Sequence, residues 1–187
     1  HDYIVGGELD LTDETISSYV ASVHETAAKY LADMNKSDET DRTTLWDSLP
    51  ITVYASSNTG SAAKVSSGNV SSNFQRLKAL ALAYETAGGD LYQDQELLSE
   101  IISGLDFMVD TYYNGTTSTN WGNWYHWEIG TPQALASTLI ILQDELTDEQ
   151  MEKYLTGIER YDSGCGSAGI PGSPTMTGAN LLDKALV

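Results

Sequence analysis

Apolar side chains recur at helical spacing along most of the chain, and segments rich in Gly, Ser, Asn and Asp separate the stretches that carry them. The first stretch begins behind Thr12, and acidic residues follow this threonine. This pattern predicts a helix over residues 12–34 with Thr12 as its N-cap. Further stretches, two of which stop at Gly88-Gly89 and Asn114-Gly115, predict helices over residues 71–87, 94–113, 132–146 and 147–161, and another from about residue 179.

Residues 35–69 lack this spacing and predict a long, mostly irregular connection, in which Leu45-Trp46 and residues 51–54 are short apolar anchors. No segment alternates apolar and polar residues for long enough to indicate a β-strand. The predicted fold class is therefore all-α, built from helical hairpins. Because the last predicted helix is still running at Val187, we expect the chain to be a piece of a larger helical domain.

Composition and charge narrow the possible partners. With 187 residues, 41% of them hydrophobic, the chain can bury a sizeable core, and no apolar run approaches the ~20 residues that a bilayer span requires. The net charge of -18 and the absence of clustered Lys and Arg exclude nucleic acid as a partner. A polyanion would be repelled by the whole molecule, so any anion site must be local. Cys165 is the single cysteine and has no partner within the chain for a disulfide.

The densest chemical feature is a run of aromatic residues just before the fourth predicted helix. Three of the four tryptophans lie within residues 121–127. Exposed aromatic rings there would stack on the apolar faces of sugar rings, with Asn and His bonding the hydroxyl groups. Alternatively, the loop folds onto the core and buries Trp124 and Trp127. Residue chemistry alone leaves both interpretations open.

The run Asn123-Trp124-Tyr125-His126-Trp127-Glu128-Ile129-Gly130-Thr131-Pro132 resembles the Asn-Trp-Trp-x-x-x-Ile-Gly-x-Pro segment of polysaccharide lyase family 8, which includes hyaluronate, chondroitin AC and xanthan lyases. Thr177-Gly178-Ala179-Asn180 is similar to the Thr-Gly-Ala-Asn segment of the same family. The resemblance implies part of an (α/α) toroid, that is, an incomplete barrel of helical hairpins. Residues 1–187 would be its N-terminal portion, with the remaining helices and the β-rich domains absent from this chain.

The resemblance also implies eliminative cleavage beside a uronic acid, which leaves a 4,5-unsaturated uronate end. Asn180 matches the asparagine that hydrogen-bonds the substrate carboxylate and stabilises the enolate-like transition state. Asn123, Trp124 and Tyr125 match the aromatic patch that positions the sugar chain, although Tyr125 stands where a second Trp is usual and offers less stacking area. The predicted substrate-binding set is completed by Trp127 and His126.

The catalytic His and Tyr of the family come from helices beyond the Asn180 segment. The resemblance therefore implies that the remainder of the same enzyme supplies them, either as a second polypeptide or as a missing segment. His126 is not a replacement, because its position varies within the family, and it is interpreted as support for the aromatic loop. His24 is expected to be a structural or surface residue of the first helix.

Two other functional classes stay open. A glycoside hydrolase on an (α/α) barrel would need a pair of carboxylates, for which Glu128 with Asp106 or Asp110 are candidates. A non-catalytic helical module would bind sugar without turnover. Within the lyase class the substrate is undecided, because residues 124–127 are closer to xanthan lyases and residues 131–135 to chondroitin and hyaluronate lyases.

The remaining expectations concern cofactors and location. The sequence contains no spacing typical of a metal site, so no cofactor is expected, and calcium has no sequence support. Strong acidity is common in exported enzymes. Together with the resemblance, it predicts a secreted protein that acts on an acidic polysaccharide.

Overall fold

The computed structural model describes residues 8–37, 42–55, 58–114 and 121–161. Asn180, Cys165 and the helix predicted from about residue 179 lie outside these ranges. The described residues contain no β-strand, which confirms the all-α prediction. The helices are α1 (Glu14–Ala32), α2 (Ser61–Glu85), α3 (Gln95–Tyr112), α4 (Thr131–Ile141) and α5 (Asp148–Tyr161), and a π-helical turn (His126–Gly130) directly precedes α4.

The helix predicted over residues 12–34 is confirmed, but its cap is Asp13 and not Thr12. The Asp13 carboxylate accepts hydrogen bonds from the backbone N–H groups of Thr15 and Ile16, at 2.8 and 3.1 Å. Thr12 instead donates its own N–H and hydroxyl to the Asp10 carboxylate. Asp and Thr both suit the N-cap position, so the sequence pattern alone did not separate two adjacent candidates.

Helix α2 begins ten residues earlier than predicted, at Ser61 instead of Ser71. Its first half is rich in Ser and Gly, which are weak helix formers. Tertiary packing compensates, because Ala63, Ser67 and Val70 are buried there at 0–1% exposure. The predicted irregular connection is correspondingly shorter, and its anchors Leu45 and Trp46 are fully buried.

The helices predicted over residues 94–113, 132–146 and 147–161 are confirmed with smaller differences at their ends. Asp94 caps α3 by accepting from the N–H groups of Glu96 and Leu97. Thr147 and Gln150 bond each other reciprocally at the start of α5, which is a capping box. Helix α4 ends at Ile141 and not near residue 146, because the chain turns there and Leu146 N–H bonds the Leu142 carbonyl.

Helix α2 is the centre of the fold and packs against α1, α3, α4 and the π-helical turn. Helix α5 packs on the outer side, against α4 and α3. In the part of the chain that is described, no helix is both long enough and apolar enough to cross a lipid bilayer. The α2 side chains at the middle of the core are fully buried: Phe74, Leu77, Leu80, Ala81 and Tyr84.

Candidate functional site

The aromatic loop has a buried side and a side that reaches the surface. Trp127 is 0% exposed and Trp121 is 3% exposed, whereas Trp124, Tyr125 and His126 are half-buried. Each interpretation of the loop therefore applies to one tryptophan. Trp127 is buried in the core, whereas Trp124 lies at the surface, where its ring is accessible for stacking. The assignment of Trp127 to direct sugar contact is corrected here, because a fully buried ring offers no face for stacking.

The buried side is a base of interlocking aromatic rings. The Trp127 indole Nε1 donates to the Trp121 carbonyl at 2.8 Å, and the Tyr113 hydroxyl donates to the Trp127 carbonyl at 2.8 Å. The Tyr161 ring of α5 lies 4.6 Å from the Tyr113 ring and 5.5 Å from the Trp127 ring, measured between centroids. Because both the ring and the backbone carbonyl of Trp127 have partners in the core, this residue anchors the loop.

A π-helical turn connects the aromatic loop to α4, and its residues differ in burial. The Thr131 N–H donates to the His126 carbonyl, one residue further back than an α-helical bond would reach. The extra residue in the turn shifts the register between α4 and the loop before it. Within this turn Trp127, Glu128 and Ile129 are buried, whereas His126 at its start is half-buried. Single π-helical turns inserted before or within α-helices occur frequently at functional sites.

The outer side forms the aromatic patch, defined here as Trp124, Tyr125 and His126. The Trp124 and Tyr125 rings lie 6.3 Å apart with an interplanar angle of 71°, and the Tyr125 and His126 rings lie 5.7 Å apart at 85°. Successive rings are thus nearly perpendicular, and we call the result a stepped surface. The face of one ring lies beside the edge of the next, an arrangement that suits a sugar ring with an apolar face and hydroxyl groups around its edge.

His126 lies over Gly68 of α2. A Cβ atom placed on Gly68 would lie 3.5 Å from the His126 Nε2, so the imidazole borders the space that a larger residue at position 68 would fill. Partial burial lowers the pKa of His126 below its ordinary value, because burial disfavours the charged form. The imidazole is therefore neutral at neutral pH, with one nitrogen as donor and the other as acceptor.

A glycine lets the start of the loop lie directly on α2. Gly122 has φ of +75°, a left-handed conformation, and its N–H donates to the Asn58 carbonyl at 2.7 Å. A Cβ at this position would lie 2.3 Å from the Ala63 carbonyl oxygen. No other residue fits here without moving the helix or the loop, so Gly122 sets how close the two elements come.

Asn123 is fixed next to this contact by a serine of α2. The Ser67 hydroxyl accepts from the Asn123 N–H at 3.0 Å and donates to the Lys64 carbonyl at 3.0 Å. The Asn123 side-chain oxygen accepts from the Tyr125 N–H at 3.2 Å, which leaves the Nδ2 donor of that amide for a ligand. Asn123 and the aromatic patch are therefore held in one arrangement.

Ser67 is a positioning residue that the sequence analysis missed, since it fell in the segment predicted to be irregular. A signal for the earlier helix start was present: Ala63, Val70, Phe74 and Leu77 follow one another at helical intervals. The contact itself could not be predicted, because Ser67 and Asn123 are 56 residues apart in the chain.

Residues 1–187 match the family model described as polysaccharide lyase family 8, N terminal alpha-helical domain. This chain belongs to polysaccharide lyase family 8. It is 36% identical to a hyaluronate lyase of Enterococcus faecalis over 159 residues, which cover 84% of this chain and 14% of that protein.

Two solved lyases share the fold of this family 8 chain. A Paenibacillus xanthan lyase superposes with a TM-score of 0.83 at 29% identity, over 98% of this chain and 16% of that one. A Streptomyces coelicolor chondroitin AC lyase superposes with a TM-score of 0.79 at 26% identity, over 99% of this chain and 22% of that one. These neighbours confirm the predicted fold class, part of an (α/α) toroid. The chain spans less than a quarter of the length of each of these three relatives.

The carboxylates considered for a hydrolase are engaged elsewhere in the fold. Glu128 is 0% exposed. Asp106 accepts from the Lys153 ammonium at 2.7 Å and from the Tyr154 hydroxyl at 3.0 Å, and Asp110 accepts from Lys153 at 2.9 Å. Burial and the nearby Asp106 charge raise the pKa of Tyr154, so its hydroxyl stays protonated and keeps donating. Asp106 and Asp110 thus join α3 to α5 and have a structural role.

Of the remaining predicted residues, His24 has the structural role expected of it: it is 8% exposed, and its Nε2 lies 2.8 Å from the Thr86 carbonyl. Asn180 lies outside the described residues, so its position relative to the aromatic patch stays a prediction. Within the described ranges, no group of three or more His, Cys, Asp and Glu side chains is arranged to hold a metal ion.

Proposed function

We propose that this chain carries the substrate-positioning part of a lyase that cleaves uronic-acid-containing polysaccharides by β-elimination. The observation that carries the proposal is the aromatic patch: half-exposed rings beside Asn123, mounted on a buried aromatic base, in a chain of polysaccharide lyase family 8. Asn123 and His126 add hydrogen-bonding groups next to the rings. Such a surface recognises sugars through stacking and hydroxyl contacts without adding charge.

The proposed reaction is an elimination and needs no water as a reactant. A base removes the proton on C5 of the uronate, the bond between C4 and the glycosidic oxygen breaks, and a C4–C5 double bond forms as an acid protonates the leaving oxygen. The Asn180 amide would hydrogen-bond the uronate carboxylate and stabilise the negative charge that develops there. The base and the acid would be the His and Tyr supplied by the remainder of the enzyme.

Three substrates fit the proposal, namely hyaluronan, chondroitin and xanthan. Relatives of this chain are named as lyases of each of these polymers. We further propose that the enzyme is secreted, requires no cofactor, and is completed by helices and β-rich domains beyond this chain. A secreted location fits the net charge of -18 and the size of a polymeric substrate.

The rival classes have less support. A hydrolase would place one carboxylate on each side of the scissile bond, whereas Glu128 is buried and Asp106 is bonded by Lys153 and Tyr154. A non-catalytic sugar-binding module would use the same aromatic patch. It would differ in lacking turnover, so the choice between a lyase and a binding module is made by measuring the product.

The intact enzyme is expected to raise the ultraviolet absorbance of a solution of hyaluronan, chondroitin or xanthan, because the conjugated 4,5-unsaturated uronate absorbs there. The three polymers are assayed in parallel, and the one that responds is the substrate. Reducing ends that appear without any rise in absorbance would identify a hydrolase. Binding without either change would identify the non-catalytic module.

Trp124→Ala is expected to weaken substrate binding about tenfold, as loss of an anchoring aromatic residue commonly does, and to leave thermal stability nearly unchanged. The reason is that Trp124 is half-buried at the surface. Affinity is measured with oligosaccharides of the cleaved polymer, and stability by thermal unfolding. Tyr92→Ala is the control, since Tyr92 is an aromatic side chain that is 45% exposed outside the patch. Equal affinity in both variants would remove Trp124 from the binding surface.

A further inference from the structure

Helix α2 packs against the π-helical turn that begins at His126 of the aromatic patch, and it carries a lysine, Lys64, in its first turn. The His126 imidazole lies over Gly68, where an added Cβ would come within 3.5 Å of the His126 Nε2, and Lys64 precedes Gly68 by four residues. Residues four apart in an α-helix lie on the same face, about 6 Å apart along the axis. The Lys64 side chain therefore leaves the face of α2 that also supports the patch.

The backbone at Lys64 is fixed relative to the substrate-facing loop. Its carbonyl accepts from the Ser67 hydroxyl, and the same hydroxyl accepts from the Asn123 N–H. One residue earlier, the Ala63 carbonyl lies against Gly122. The backbones of Lys64 and Asn123 are thus joined through the Ser67 hydroxyl, so the point at which the Lys64 side chain leaves α2 is fixed relative to Asn123.

Lys64 is exposed and has no carboxylate partner among the described residues, in a chain whose net charge is -18. Lys29 is paired with Glu25, and Lys153 with Asp106 and Asp110. The only acidic residue of α2 is Glu85, at the end remote from the patch. Lys64 is thus a cation with no acidic residue near it on α2, in a molecule whose net charge of -18 otherwise repels polyanions.

We propose that Lys64 is a substrate-binding residue that pairs with a uronate carboxylate of the sugar chain seated on the aromatic patch. The inference rests on the proposed function and deepens it. The aromatic patch binds sugar rings by stacking, which does not depend on whether the sugar carries a carboxylate. Lys64 would make the same surface selective for an acidic sugar chain. An exposed ion pair of this kind contributes little binding free energy. Its loss is therefore expected to change how KM depends on salt and on substrate charge more than it lowers affinity.

The test compares Lys64→Gln with Lys29→Gln in the intact enzyme, since both variants remove one positive charge. The substrate is whichever of hyaluronan, chondroitin and xanthan the wild type cleaves. Lys64→Gln is expected to raise KM by about two- to fivefold at low salt with kcat nearly unchanged, and this difference shrinks as salt increases. Lys29→Gln is expected to match the wild type, and Lys64→Arg to restore KM because it restores the charge.

A carboxyl-reduced oligosaccharide of the same polymer separates charge recognition from a structural role. As a competitive inhibitor it is expected to bind the wild type and Lys64→Gln equally, because no carboxylate is present to pair with Lys64. If the wild type cleaves its polymer while Lys64→Gln shows an unaltered KM and salt dependence, the Lys64 proposal is wrong and the lyase proposal stands. If the wild type cleaves none of the three polymers, both proposals are overturned.

Discussion

Asn180→Ala in the intact enzyme is expected to lower kcat by at least ~10²-fold, the effect seen when one donor to a developing oxyanion is removed. The carboxylate of a uronate must lose part of its negative charge before the C5 proton becomes acidic. A neutral amide does this by donating hydrogen bonds that strengthen as charge moves onto the carboxylate. Initial rates are measured by the absorbance of the unsaturated product, with substrate varied so that kcat and KM are separated.

Asn123→Ala is the matched control, since it removes a second amide, which belongs to the loop proposed to bind substrate. Because Asn123 is proposed to hold sugar hydroxyls, this variant is expected to raise KM more than it lowers kcat. Asn180→Asp adds a negative charge opposite the substrate carboxylate and is expected to be at least as inactive as Asn180→Ala. Wild-type kcat in Asn180→Ala, with the protein folded, would refute the catalytic assignment.

Trp127→Ala is expected to lower the free energy of unfolding by about 3–5 kcal/mol, the range found when a fully buried Trp or Phe is truncated. Trp127 is 0% exposed, and its ring contacts those of Trp121, Tyr113 and Tyr161. Removing it leaves a cavity and also leaves the Trp121 carbonyl without its indole donor. Since a domain of ordinary stability unfolds with ~5–15 kcal/mol, the variant loses a large share of its stability.

Chemical denaturation of Trp127→Ala and Trp127→Phe provides the measurement and its control. Phe keeps most of the ring volume but cannot donate to the Trp121 carbonyl, so its smaller loss of stability separates the hydrogen bond from the packing. Trp124→Ala, at the outer side of the same loop, is expected to unfold close to the wild type. A Trp127→Ala protein as stable as the wild type would mean that the aromatic base does not anchor the loop.

The helices could be predicted from the sequence because each packs one row of apolar side chains on a common core. The prediction was accurate for α3, where Leu97, Ile101, Leu105 and Met108 repeat at helical spacing and are all buried. It failed for the first half of α2, where Ser66 and Ser67 are buried at 4% and 0% exposure. Serines bury well only where partners exist, and the partners of these two are Thr52 and Asn123, far away in the sequence.

The candidate site was located from the sequence, but the direction of its side chains was not. The density of aromatic residues and the family resemblance both indicated the loop around Trp124. They could not separate Trp124 from Trp127, because an α-helical period places residues three apart on neighbouring positions of one face. Trp127 is fully buried within the π-helical turn, whereas Trp124, which precedes the turn, is half-buried. The spacing of apolar residues along the chain does not predict such a turn.

The π-helical turn also limits how this region can be redesigned or can diverge. Surface loops ordinarily accept insertions and deletions. Deleting a single residue between His126 and Gly130 would convert the turn to α-helix and rotate everything before it by about 100° around the α4 axis. The aromatic patch would then turn relative to α2, and the burial of its rings would change. Substitutions that keep the number of residues between His126 and Gly130 are therefore expected to preserve the orientation of the aromatic patch, whereas loops of a different length are expected to disturb it.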